Sequence, residues 1–287
     1  MKPELWLHEP SLPCVPQARL CGRSGAWPSP KEHRLNPVLE VPIETLEGAL
    51  RSLPFADRLE VCDDLSTEGW TPLPELVRGV RAARDQDGRT GARVVAMIRP
   101  RVAGAVVAPV LEAFIATPTV VEACMREIES MAKAGAHDVA IGLLRKDASV
   151  DVEAMQRLAG TARAAGMGVA FLRSLDLVRN RDQAMRDLVD LGMERVVTAG
   201  VLGWDASVAT IDVRVERLMR DAQIANEYAA SRGLHTVTIV PGGGVRSSNA
   251  REFMRVSSDL HSSCRVGGVL DAEEGCALRA VLDAQYR

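Results

Sequence analysis

From residue 38 onward the chain alternates, eight times over, between a short apolar run and a longer stretch of helical periodicity. The runs are 38–43 (VLEVPI), 57–62 (DRLEVC), 93–98 (RVVAMI), 138–143 (DVAIGL), 168–173 (GVAFLR), 195–199 (RVVTA), 235–240 (HTVTIV) and 258–262 (SDLHS). Strands separated by helices run parallel, with right-handed crossovers. Strands this apolar are buried on both faces. Aromatics are only 3% of residues although 47% are hydrophobic, so the core is built from Val, Leu, Ile, Ala and Met.

Two architectures accept such an order. An open doubly wound sheet normally carries GxGxxG after its first strand, but the chain there reads EVPIETLEGAL. The expectation is therefore α/β: a single (β/α)8 TIM barrel over 38–287. Punctuation supports the helices between. Thr119 with Glu122 fits a capping box for a helix stopping at Gly135. Asn180 caps one ending near Gly192, and Gly233 ends a long helix begun near Asp212.

Residues 1–37 hold seven of the fifteen prolines, with Trp6 and Trp27, and read as an irregular arm. The net charge of −3 is spread among interspersed residues, with no nucleic-acid footprint and no polybasic membrane patch. The six cysteines are scattered, without CxxC spacing, and read as reduced thiols. No signal-like or membrane-spanning apolar stretch is evident, so the expected location is cytoplasmic.

A barrel of this kind places its chemistry at the C-terminal ends of its strands. Those positions offer Glu40, Glu60, Cys62, Arg99, Arg101, Arg173, Asp176, Thr198, Gly242–Gly244, Arg246, His261 and Ser262. Glu40 and Glu60 each stand between Leu and Val, in places that look equivalent, and a buried carboxylate needs a cation. Arg99 and Arg173 are the expected partners. Either these charges serve a reaction, or they form an internal salt-bridge network. The glycines after the seventh strand let backbone N–H groups approach an anion at the start of the next helix, with Ser247 or Ser248 as its cap. The plainer reading is a tight turn. His261 is either a catalyst or a hydrogen-bonded core residue. Cys62 is a soft-metal ligand or, more simply, a buried inert thiol.

Taken together, these residues resemble the CutC copper homeostasis proteins, over about residues 39–264. The resemblance rests on 56–62 (ADRLEVC), 68–72 (EGWTP), 98–101 (IRPR), Val150-Asp151, 171–176 (FLRSLD), 195–200 (RVVTAG), 242–246 (GGGVR) with Asn249, and 261–263 (HSS). It implies a TIM barrel linked to copper homeostasis and to copper ion binding, with Cu(I) as the metal and Cys62 as its ligand. The chain departs from the family pattern at several points. Pro42 stands where the first strand typically has cysteine, and Leu172 replaces a histidine. Arg145-Lys146-Asp147-Ala148 replaces an acidic stretch, and residues 102–118 form an apolar loop. Only Cys62 keeps a thiol position, and Cu(I) prefers two or three soft donors.

Two functions follow. One is copper handling through Cys62. The other is an isomerase, epimerase or aldolase-like lyase acting on a small anionic or phosphorylated metabolite. In that reading Arg99, Arg101, Thr198, Gly242, Gly243, Gly244, Arg246 and Ser262 bind the substrate. Glu40, Glu60, Arg173, Asp176 and His261 carry the chemistry. No lysine lies at a strand end, so Schiff-base chemistry is not expected. The apolar loop suits a lid or a subunit contact, and a homo-oligomer, a dimer, is the expected state. A barrel serving only as a scaffold is the bland alternative.

Overall fold

Every apolar run forms a strand in the computed structural model, which describes residues 37–88 and 91–284. The expected N-terminal arm lies outside the described residues, apart from Pro37. The strands are β1 (Val38–Ile43), β2 (Arg58–Val61), β3 (Arg93–Met97), β4 (Asp138–Ile141), β5 (Gly168–Phe171), β6 (Arg195–Thr198), β7 (Thr238–Pro241) and β8 (Asp259–His261). They alternate with α1 (Leu46–Ser52), α2 (Pro74–Gln86), α3 (Pro118–Ala134), α4 (Val152–Ala164), α5 (Arg181–Asp190), α6 (Ile211–Arg232), α7 (Ala250–Phe253) and α8 (Ala272–Ala284). A small hairpin of β9 (Arg265–Val266) and β10 (Val269–Leu270) follows β8.

The strands pair in parallel from β7 back through β1 and on to β8. β7 and β8 lie side by side without a hydrogen-bonded ladder, so the TIM barrel closes except at that seam. Side-chain alternation divides the interior in two. Leu39, Val41, Leu59, Val61, Val169 and Phe171 face the helices in the large outer core. Cys62, Val95, Met97, Ala140, Ala170 and Leu172 form a separate cluster inside the barrel.

The local rules hold in most places, and the exceptions have physical causes. The capping box expected at Thr119 gives way to Thr117, whose hydroxyl accepts from Val120 N. Pro118 sits at the first helical position, where its fixed φ suits a helix start. Gly135 closes α3 at φ 91°, as expected. Asn180 caps α5 by accepting from Gln183 N, and Gly233 closes α6. Strand β7 begins at Thr238 rather than 235, because its ladder starts opposite Arg195.

Glu40 and Glu60 are not equivalent. The register pairs Glu40 with Arg58, and Glu60 with Pro42. The stagger of a closed sheet thus drops Glu40 one inward-facing layer below Glu60. At that lower end the barrel is plugged by charge. Arg58 binds Glu40 at 2.8 Å and also Asp259. Arg195 lies 3.4 Å from Glu40 and 3.7 Å from Asp138, and Arg93 also pairs with Asp138. Buried cations and anions alternate around this floor, which is what makes their burial tolerable.

Candidate functional site

Above the floor the small side chains Ala140 and Ala170 leave room, and a cavity of about 540 Å³ opens at the C-terminal face. Glu60 and His261 line its base, with Met97, Leu172 and Val197. Arg173, Gly243 and Gly244 form one side, while Glu44, Asp64, Ser66 and Glu68 form the other. Phe114 and Trp204 stack on each other at 5.8 Å, and both reach the cavity.

His261 is held from below. Its Nδ1 lies 2.9 Å from Glu40 Oε1, which leaves Nε2 as the ring nitrogen available for other partners. Burial works against the imidazolium, but the bond to Glu40 and the charges of Glu60 and Glu40 raise the His261 pKa. Burial would also raise the pKa of Glu40. The guanidinium groups of Arg58 and Arg195, together with His261, outweigh it and hold this carboxyl well below the usual range. Glu40 therefore orients the histidine and favours its protonated form without lining the cavity.

Glu60 differs. It is 6% exposed, and among the described residues it has no hydrogen-bonding or ion-pair partner. Burial pushes its pKa up to about 7, His261 pulling it down and Glu40 adding to the rise. A carboxyl poised there can both give and take a proton near neutrality.

Arg173 donates through Nε to Asp176 at 3.1 Å and through Nη2 to the Trp204 carbonyl at 2.8 Å. Its guanidinium stacks 4.5 Å from the centre of the Trp204 ring. Nη1 keeps its donors free of protein partners among the described residues. Asp176 is fully buried and also accepts from Arg181, Thr198 Oγ1 and Ala199 N. It fixes Arg173 and does not reach the cavity; Thr198 lies behind it.

The glycine loop is set by a residue that the sequence did not suggest. Arg214 of α6 donates to the carbonyls of Ala199, Gly242 and Gly243 at 2.7–2.8 Å and stacks on Phe253. The amides of Gly243 and Gly244 meanwhile find no acceptor among the described residues. Gly243 has φ 67°, and a Cβ there would stand 2.8 Å from Ala199 Cβ. Gly242 does not line the cavity; it packs against Val197. The expected helix dipole contributes little, because α7 is one short turn starting at Ala250. Neither of the expected serines caps it: Asn249 holds the N-cap position, and Ser247 bonds Glu274 instead.

Four further expected site residues do not line the cavity. Arg99 does not pair with the barrel carboxylates. It donates to the carbonyls of Thr67, Gly69, Val106 and Val107 and stacks on Trp70 at 4.1 Å. It thereby pins the apolar loop, which supplies Phe114 to the cavity. Arg101 is exposed and pairs with Asp63 and Asp64. Arg246 donates to the Val245 and Arg265 carbonyls. Ser262 donates to Val245 O at 2.7 Å, stitching the seam between β7 and β8.

Cys62 is buried, with Sγ 3.5 Å from the Ile43 carbonyl. Burial, then Glu60 and Glu44, raise its pKa and keep it a thiol. Among the described residues no group of three His, Cys, Asp or Glu side chains is gathered to hold a metal ion. No helix among them is long and apolar enough to cross a membrane.

Comparison with known proteins agrees with the fold. Residues 38–266 match the model of the CutC family. A CutC family protein of Rhizobium meliloti is 34% identical over 211 residues, 73% of each chain. One from Sinorhizobium medicae is 31% identical over 230 residues, 79% of this chain and 81% of the relative. A crystal structure from Streptococcus agalactiae, provisionally described as a copper homeostasis protein CutC, superposes with a TM-score of 0.63 at 20% identity. That match covers 79% of this chain and 98% of the other.

Proposed function

The chain belongs to the CutC family, and on that premise we propose that it is a cytoplasmic acid–base enzyme acting on a small anionic metabolite, an isomerase, epimerase or lyase. The family name relates it to copper homeostasis. Cu(I) as cargo asks for two or three soft donors; Cys62 is a protonated thiol, with the Met97 thioether beside it in the inner cluster. Beyond these two sulfurs, no group of three His, Cys, Asp or Glu side chains is gathered among the described residues.

One observation carries the enzyme reading: Glu60, buried and unpartnered, shares the base of the cavity with a histidine already oriented by Glu40. In this reading the Glu60 carboxylate takes a proton from a carbon next to a carbonyl. The His261 imidazolium gives a proton to the carbonyl oxygen as charge develops there, and Arg173 stabilises the anion. Asp176 holds Arg173, and Arg214 holds the glycine loop, neither touching substrate.

Deuterium exchange tests this without the substrate being identified beforehand. The protein is incubated in deuterium oxide with pooled sugar phosphates and keto acids, and carbon-bound deuterium is read by mass spectrometry. Incorporation into one compound is expected, and loss of it in folded Glu60→Gln. Absence of exchange across pools that bind the protein would overturn the reading.

A further inference from the structure

The two sides of the cavity offer a ligand different chemistry. Loops after β1 and β2 bring Glu44, Asp64, Ser66 and Glu68 to one side, with Glu60 beneath. Arg173 and the free amides of Gly243 and Gly244 come from β5 and β7. In a ring of eight strands β5 stands opposite β1, so Arg173 faces the acidic side across the mouth, with the Gly243 loop beside Arg173.

The acidic side carries less net charge than its count of carboxylates suggests. Arg265 pairs with Glu44 at 2.9 Å, and Arg101 lies 3.5 Å from Asp64. Each carboxylate keeps spare lone pairs, since it has about four acceptor positions. Glu44 and Asp64, whose charge is already matched, favour neutral donors over a further cation, which would compete with the two arginines. Ser66 and Ser263 add hydroxyl partners. Glu60, nine-tenths buried and unpartnered, points the same acceptor chemistry at the cavity base.

We infer that the ligand is a polyhydroxylated chain with an anionic group at one end. The anion sits on Arg173 and the Gly243 and Gly244 amides, and the hydroxyls bond Glu44, Asp64, Glu68 and Glu60. This names the substrate class of the acid–base site and rests on that reading for the identity of the site.

Calorimetric titration of the full chain with three phosphates tests it: ribitol 5-phosphate, butyl phosphate and 4-aminobutyl phosphate. Ribitol 5-phosphate is expected to bind about tenfold more tightly than the other two, the equivalent of one or two net hydrogen bonds. Glu68→Leu, at an exposed position, is expected to narrow that gap about threefold. Arg173→Lys is expected to weaken all three. Equal binding of butyl phosphate overturns the hydroxyl end while leaving the acid–base reading intact. Tightest binding of the aminobutyl compound overturns it in favour of a cationic end. Failure of all three phosphates to bind overturns the anionic end, and the deuterium exchange then judges the acid–base reading separately.

Discussion

His261 Nδ1 and Glu40 Oε1 meet at 2.9 Å, across the β8–β1 ladder that pairs these two residues in register. The bond couples the layer that lines the cavity to the charged floor. Glu40→Gln removes the charge that raises the histidine, so the His261 pKa falls, as nuclear magnetic resonance titration of the ring will register. The same change leaves Arg58 and Arg195 underpaired in the interior, at a cost of roughly 3–5 kcal/mol in chemical denaturation.

Glu60 makes stability depend on pH. Its folded pKa of about 7 lies above the ordinary value, so the native state holds this proton more tightly than the unfolded chain does. The resulting stabilisation is complete below about pH 4.5 and is lost as pH rises through 7. His261, also raised, acts in the same direction, above its own unfolded value. Thermal melts of Glu60→Gln should therefore lose less stability between pH 5 and 8 than those of the parent chain.

The glycine loop separates two kinds of constraint. Gly243→Ala meets both a left-handed backbone and Ala199 Cβ, whereas Gly244→Ala, at φ 89°, meets no atom within 4 Å. The first should cost roughly 1–3 kcal/mol more than the second. Denaturant midpoints of the two variants check this.

Arg214→Gln tests whether the loop carbonyls need their clamp. Inorganic phosphate affinity should fall about tenfold or more while Glu60 keeps its titration, because Arg214 orients the amides and is no part of the proton machinery. An unchanged affinity would place the anion elsewhere.

Cys62→Ser should leave Cu(I) uptake unchanged in competition with a chromophoric chelator. The thiol is buried, protonated and turned toward the Ile43 carbonyl, a bond that a hydroxyl can also make.

Much of this is legible in the chain because strand periodicity survives folding unaltered: the eight runs are eight strands. Glu60, Arg173, His261, Gly243 and Gly244 stand out because strand ends define the face of a barrel. Register does not stand out. Two Leu-Glu-Val triplets look alike in one dimension, yet shear sets Glu40 opposite Arg58 and one layer below Glu60. The partners of Glu40 are the basic residues that open strands, Arg58 and Arg195, rather than those that follow them. Arg99 misleads because a cation beside a strand end says nothing about which carbonyls will surround it. Arg214 lies in a helix, and Trp204 in a loop, with no pattern to mark either.

The charged floor has a kinetic meaning as well as a structural one. A tube sealed at one end has a single doorway. Whatever enters above His261 must leave by the path it came, so in the proposed reaction product and substrate would contend for the same opening. If the reaction splits its substrate, the fragment nearer the mouth departs first, and the order of release follows from the architecture rather than from relative affinity.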